Sequence, residues 1–274
     1  MPLTRRAALK GIVATTIGAV SGVGVYGAGF ERHQVGITEA MLPVSGLAPA
    51  LDGLRIGLIT DIHHSRMVPA ADVTRAVNLA MGARPDLIVL GGDYVTWGDR
   101  AYVGPVADLL APLTAPHGVY AILGNHDDDR DMPAALASKG FTVLKDQRTR
   151  VGIRGDGLEL AGIRFWTRRP GEIARVLRQA RDPVILLAHD PRRLAEAADL
   201  NVPLVLSGHT HGGQVVVPGL GALGRRQFRV LSGADSRENT AIFVSRGVGT
   251  VYVPIRINCP PEVAILTLKR RSEI

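Results

Sequence analysis

From Leu54 onward the chain repeats one unit, a short apolar run bounded by turn residues and then a longer amphipathic stretch. Apolar runs of about four to eight residues read as buried strands, and stretches with a 3.6-residue period read as helices. The strands fall at residues 54–60, 86–90, 119–123, 183–188 and 203–207. The helices fall at 70–83, 103–110, 133–139, 172–180 and 191–200. Such alternation specifies an α/β domain built from βαβ units. Three later runs, 214–217, 241–245 and 263–268, follow one another without long helices. A second, partly antiparallel sheet is their simplest use. Residues 50–274 thus form one domain, preceded by a connecting segment at 31–49.

Each of the first five strands runs straight into polar residues. They end in Asp61-Ile62-His63-His64, Gly91-Gly92-Asp93, Gly124-Asn125-His126-Asp127, His189-Asp190 and Gly208-His209-Thr210-His211. Ligands of open α/β sheets bind beyond the carboxyl ends of the strands, so five segments deliver metal-ligand side chains to one edge. In extended backbone, residues i and i+2 point to one side. That pairs Asp61 with His63 and His209 with His211, and turns His64 away. The glycines before Asp93, Asn125 and His209 leave room where backbone passes close to the site. Histidines satisfied singly in a core would not recur at four of five strand ends with an aspartate at the fifth.

Composition narrows the chemistry. With 46% hydrophobic residues and 21% charged, the chain can build a packed core. Its single cysteine, Cys259, excludes an intramolecular disulfide framework and cysteine-rich zinc sites; beside two prolines it reads as a buried structural thiol. Any metal is therefore held by His, Asp, Asn or Glu, a set that suits Mn²⁺, Zn²⁺ or Fe²⁺. No Ser-His-Asp or Cys-His nucleophile pattern is present. Gly91-Gly92 is no phosphate-binding loop, because no Lys-Ser/Thr follows it.

In combination these motifs resemble the calcineurin-like metallophosphoesterases, whose ordered blocks are Asp-x-His, Gly-Asp, Gly-Asn-His-Asp/Glu, a later His, and Gly-His-x-His. The likeness covers about residues 50–270. It extends to the exported bacterial branch that includes UDP-2,3-diacylglucosamine pyrophosphatases, through Gly208-His209-Thr210-His211-Gly212-Gly213-Gln214 and the tail Pro254-Ile255-Arg256 … Cys259-Pro260-Pro261-Glu262. The resemblance implies a four-layer αββα sandwich of two mixed sheets and a site for two divalent ions. Asp61, His63 and His211 would hold the first ion, Asn125, His189 and His209 the second, and Asp93 would bridge them. His126 would lie beside the substrate phosphate, oriented by Asp127. Asp128 and Asp129 stand where relatives often have aromatics.

The N-terminus reads as an address. Arg5, Arg6 and Lys10 precede residues 11–30, which carry no charge. A basic start before an apolar run is an export pattern, and the paired arginines resemble a twin-arginine signal read by its own export machinery. Twenty residues would just cross a hydrocarbon layer of ~30 Å, although six of the twenty are glycine. The protein is expected in the bacterial envelope, membrane-associated if residues 1–30 are retained.

The expected activity is two-metal hydrolysis of phosphodiester or pyrophosphate bonds by a hydroxide that bridges the ions, with His126 as general acid. The substrate would be an envelope lipid or a nucleotide-linked lipid precursor. The alternatives are a nuclease or cyclic-nucleotide phosphodiesterase on the same fold, and a metal-binding scaffold without catalysis. Of the formal charge of +7, +3 lies in residues 1–30, which leaves only +4 for the rest. That is no footprint for nucleic acid. Met67, Val68, Trp97, Tyr102, Phe165 and Trp166 read first as packing residues and second as a surface for acyl chains.

Overall fold

The computed structural model describes residues 21–222 and 227–271. The paired arginines and half of the uncharged run, residues 11–20, lie outside the described residues. Along the chain the strands are β1 Gly36–Val44, β2 Arg55–Ile59, β3 Leu87–Leu90, β4 Val119–Ala121 and β5 Thr142–Val143. There follow β6 Gln147–Ile153, β7 Asp156–Gly162, β8 Val184–Leu187, β9 Leu204–Ser207, β10 Val216–Val217, β11 Gly221–Ala222, β12 Gly233–Arg237, β13 Thr240–Val244 and β14 Glu262–Arg270. The helices are α1 Ala70–Ala83, α2 Val103–Leu110, α3 Asp131–Ala137, α4 Pro170–Leu177 and α5 Leu194–Asp199. Residues 21–29 are also helical.

Two six-stranded sheets carry the fold, ordered β1-β14-β2-β3-β4-β5 and β12-β13-β9-β8-β7-β6. In the first, β2 to β5 run parallel and β14 is antiparallel to β2. In the second, β7, β8, β9 and β13 run parallel, and β6 and β12 are antiparallel edges. The strands β3, β8 and β9 are buried throughout, which requires cover on both faces. One face of each sheet meets the other sheet, through Leu58, Val89 and Leu266 against Leu160, Leu187 and Phe243. On the outer face of the first sheet α1 and α2 bury Val73, Val77, Val106 and Leu110 against Ile88, Leu90 and Ile265. On that of the second, α4 and α5 bury Ile173 and Ala197 against Leu186, Val205 and Ile242. The result is the expected four-layer α/β arrangement of two mixed sheets.

The amphipathic period explains α1, whose buried Val73, Ala76, Val77 and Ala80 repeat at helical spacing. It ends at Arg84, left-handed at φ 49°, with Pro85 behind it. Three expectations need correction. Residues 31–49 are more than a connection, because they contain β1, which pairs in parallel with β14 along its whole length. The three late runs separate into β10 of a small ribbon, β13 of the second sheet and β14 of the first. Residues 191–200 open with a 3-10 turn at Pro191–Arg193 before α5 begins. None of the described helices is long and apolar enough to cross a membrane.

Candidate metal centre

The loops after β2, β3 and β9 leave extended geometry at once. Asp61 (φ 53°), His63 (φ 49°), Asp93 (φ 57°), His209 (φ 72°) and His211 (φ 52°) all occupy left-handed backbone. Non-glycine residues rarely sit there, and local strain of this kind clusters at functional sites. The hydrogen bonds that hold the turns come from neighbouring loops. Asp61 N donates to Gly92 O (2.9 Å), His63 N to Asp93 O (2.9 Å), Val248 N to Thr60 O (3.1 Å) and Gly249 N to Asp61 O (2.7 Å). Gly124 is needed for bulk, since a Cβ there would strike the Asp93 carboxylate.

These turns, rather than strand alternation, gather the side chains. Asp61, His63 and His211 form one group and Asp93, His189 and His209 a second, each with ligand atoms within 4.8 Å of one another. His209 and His211, expected to share a site by i, i+2 spacing, therefore serve different groups. In the first, His63 Nε2 lies 3.1 Å from His211 Nε2, and His211 Nε2 lies 3.4 Å from Asp61 Oδ1. In the second, His189 Nε2 lies 3.1 Å from Asp93 Oδ2. The same Asp93 oxygen is 3.5 Å from His63 Nε2, so it reaches both groups. Its other oxygen accepts from His126 N (2.8 Å). Asn125 Oδ1 is buried beside this loop with no hydrogen-bond partner.

The donor set fits cations. His189 Nδ1 lies 2.8 Å from Gly91 O, which places a proton on that nitrogen and turns the buried Nε2 toward Asp93. Buried polar atoms are otherwise almost always satisfied, yet Asn125 Oδ1 is not. Neutral imidazoles and carboxylates are what such ions require. Burial, opposed by Asp93, pushes His63 down to about 4, and burial with the charge on His189 pushes His209 to about 4. Burial also holds His211 well below its usual range, so these three rings are neutral donors. Burial raises Asp61 to about 6. His189 departs from the pattern: burial disfavours its charge, but the Asp93 carboxylate outweighs this and raises it to about 10. Reciprocally, His189 lowers Asp93 against the cost of burial. Without metal the centre holds an internal His189–Asp93 ion pair.

His126 and Asp127 take up different tasks from those expected of a pair. The Asp127 carboxylate accepts from Asp93 N (2.7 Å), Tyr94 N (2.7 Å) and Gly124 N (2.8 Å). It clamps the two ligand-bearing loops together, and among the described residues it makes no hydrogen bond to the His126 ring. That ring is oriented by Trp97 N, which donates to His126 Nδ1 at 3.1 Å. The hydrogen of the neutral ring then belongs on Nε2. His126 packs against Trp97 at 4.5 Å with the rings tilted by 59°, and meets His63 edge-on at 4.9 Å.

Sequence reasoning missed two supports. The Trp97 amide carries no side-chain signal at all. Arg256 is fully buried and donates to the carbonyls of Arg246, Gly249 and Cys259, which shapes the loop whose Val248 and Gly249 hold the Asp61 turn. Its signal was the conspicuous 254–262 tail. His64 is turned away from the ligand groups as expected and is buried, with Nδ1 2.9 Å from Val68 O and its ring against Tyr102. Cys259 is buried as expected, and its Sγ donates to His211 O at 3.2 Å.

Residues 54–213 match the family model of calcineurin-like phosphoesterases. The chain is 34% identical over 225 residues to the phosphodiesterase YaeI of Escherichia coli, covering 78% of this chain and 82% of that one. It is 31% identical over 280 residues to the uncharacterized metallophosphoesterase YkuE of Bacillus subtilis, covering 97% and 98%. It is also 32% identical to an uncharacterized metallophosphoesterase of Aquifex aeolicus, covering 95% and 99%. Two buried ligand groups that share one aspartate, carried on strand-end loops within the matched region, make the chain a metal-dependent phosphoester hydrolase and a member of the calcineurin-like phosphoesterase family.

Proposed function

We propose that the protein hydrolyses phosphodiesters with two divalent ions, held by Asp61, His63 and His211 and by Asn125, His189 and His209, with Asp93 shared. The carrying observation is the placement of Asp93 Oδ2 within 3.5 Å of a ring nitrogen from each group. Bound ions would offset charge on the phosphoryl oxygens and ready water for attack. The chain's own residues supply the rest. Asp127 fixes the spacing of the two loops that carry Asp93 and Asn125. His126, its Nδ1 occupied by the Trp97 amide, presents Nε2–H beside the centre as a hydrogen-bond donor that stabilises charge on the departing oxygen, rather than as a general acid that gives up its proton. The water adds to phosphorus, the ester P–O bond breaks, and the water's proton ends on the released alcohol.

The substrate proposed is a phosphodiester or pyrophosphate of the cell envelope, including a nucleotide-linked lipid of the UDP-2,3-diacylglucosamine kind. Three features support this reading: the 254–262 tail, the likeness to a phosphodiesterase of Escherichia coli, and the aromatic side chains at the mouth of the centre. Export through the twin-arginine route is part of the proposal, because a centre assembled from five segments forms only in the folded chain. Cell fractionation of wild type against Arg5→Lys with Arg6→Lys tests it; equal amounts in the envelope would remove the twin-arginine route. Hydrolysis of bis(p-nitrophenyl) phosphate tests the chemistry. Turnover should appear with Mn²⁺, vanish with a chelator and return when Mn²⁺ is restored. Activity indifferent to chelation after the ions are shown to be gone would contradict the proposal.

A further inference from the structure

Beside His126 the surface is apolar where an enzyme for small soluble esters needs none of it. Trp97 is 65% exposed and Tyr252 71%, and their rings meet at 5.4 Å with Val253 next in the chain. Both aromatics sit in left-handed backbone, Trp97 at φ 54° and Tyr252 at φ 64°, so the loops hold them outward at a conformational cost. The segment that carries Tyr252 continues to Ile255–Ile257, and there the helical residues 21–29 attach. Gly27 lies against the Arg256 carbonyl and the Ile257 side chain, and Arg256 N donates to Gly27 O at 3.2 Å. Arg32 Nη1 fixes the same end through Met67 O at 2.8 Å. Val25, Tyr26 and Phe30 remain exposed on that attached helical end.

The attachment decides which way this surface faces. Residues 11–30 contain no charge and the three residues before them that carry any are basic. A segment of that kind partitions toward a bilayer with an anionic surface. Its described part, residues 21–30, is attached to the loop that also builds the rim of the metal centre. A domain tethered at that point turns this rim to the membrane, and Trp and Tyr are the side chains that settle at headgroup depth.

We propose that Trp97, Tyr252 and Val253, continuous with Tyr26 and Phe30, dock the catalytic face on the lipid interface, so that the centre draws its phosphodiesters from bilayer headgroups. The substrate clause rests on the phosphodiesterase reading above, whereas the docking clause does not. Tyr252 and Val253 are neither proposed ligands nor hydrogen-bond donors to substrate, and Tyr252 meets Trp97 through its ring while the Trp97 contact to His126 Nδ1 is made by the backbone amide.

The test uses the full-length chain with unilamellar vesicles of phosphatidylcholine and phosphatidylglycerol whose upper acyl carbons carry bromine, a short-range quencher of indole. The chain has two tryptophans, so Trp166→Phe isolates Trp97. Bromolipid should quench Trp97 strongly, and vesicles should shield it from acrylamide in water. Adding Tyr252→Ser and Val253→Ser should remove most of that quench. The same double change in the otherwise wild-type chain should preserve Mn²⁺-dependent hydrolysis of bis(p-nitrophenyl) phosphate. It should lower hydrolysis of a fluorogenic phosphodiester lipid in the same vesicles about tenfold, as loss of buried apolar contact weakens interfacial binding. Trp97 left unquenched on vesicle-bound protein overturns the docking, whatever the activity. Strong quench with no hydrolysis of the vesicle lipid keeps the docking and overturns the substrate clause. Equal loss on the soluble ester would show that the two changes damage the centre, and a quench that persists in the double variant overturns the role of Tyr252 and Val253.

Discussion

At the scale of single residues, His126 carries the most specific chemical claim. With Trp97 N bonded to Nδ1, the ring is a neutral donor through Nε2, and burial keeps it so by holding its protonation below the usual range. His126→Ala should retain both ions and lose about 10²–10³ in turnover on poor leaving groups, whose departing oxygen needs the Nε2–H hydrogen bond most, with a smaller loss on nitrophenyl esters. Equal losses across leaving groups would remove His126 from that role. The identities of the ligands were legible because His and Asp at strand ends are chemically conspicuous. Their backbone was not. Asp61, His63, Asp93, His209 and His211 are turned by hydrogen bonds from other loops, and no residue type at those positions announces a left-handed φ. The partner of His126 was illegible for the same reason, since an amide N–H belongs to every residue except proline.

At the scale of elements, β2, β3, β8 and β9 were legible as unbroken apolar runs, because both their faces are covered. The edge strands were not. Along β1 Ile37 and Met41 are exposed on the face that also carries Glu39, and β6 carries Arg148 and Arg150. One-sided strands of this composition read locally as connections. The loop elements that form the centre tolerate no extra bulk. In Gly124→Ala the new methyl would meet the Asp93 carboxylate and its backbone nitrogen, and overpacking of this kind costs about 1–3 kcal/mol. Thermal unfolding with and without Mn²⁺ should show lower stability and a smaller shift on metal addition than wild type. A wild-type metal shift would mean that the loop after β4 does not set the position of Asp93.

At the scale of the whole molecule, fold and centre depend on each other through charge. The metal-free protein keeps a proton on His189 up to about pH 10, because Asp93 is buried beside it. A raised pKa on a base stabilises the fold below its unfolded value of about 6.5, and that contribution is lost as the pH climbs through 10. A cation on His189 must displace that proton. Metal binding near neutral pH should therefore release about one proton per chain, and affinity should rise with pH. Calorimetric titration in buffers of different ionisation enthalpy reads the number directly. Binding without proton release would show that His189 is neutral in the free protein, or that it is no ligand.

The shared carboxylate of Asp93 is the point on which the two-ion account turns, and its replacement is the most direct test. Metal content and Mn²⁺-dependent turnover should be measured together on wild type and Asp93→Asn after equilibration with the same free metal. Wild type should hold two ions per chain. The variant, whose neutral amide offers one oxygen in place of a shared carboxylate, should lose at least one ion and about 10³ or more in turnover. Two ions retained with near-normal turnover would contradict the account.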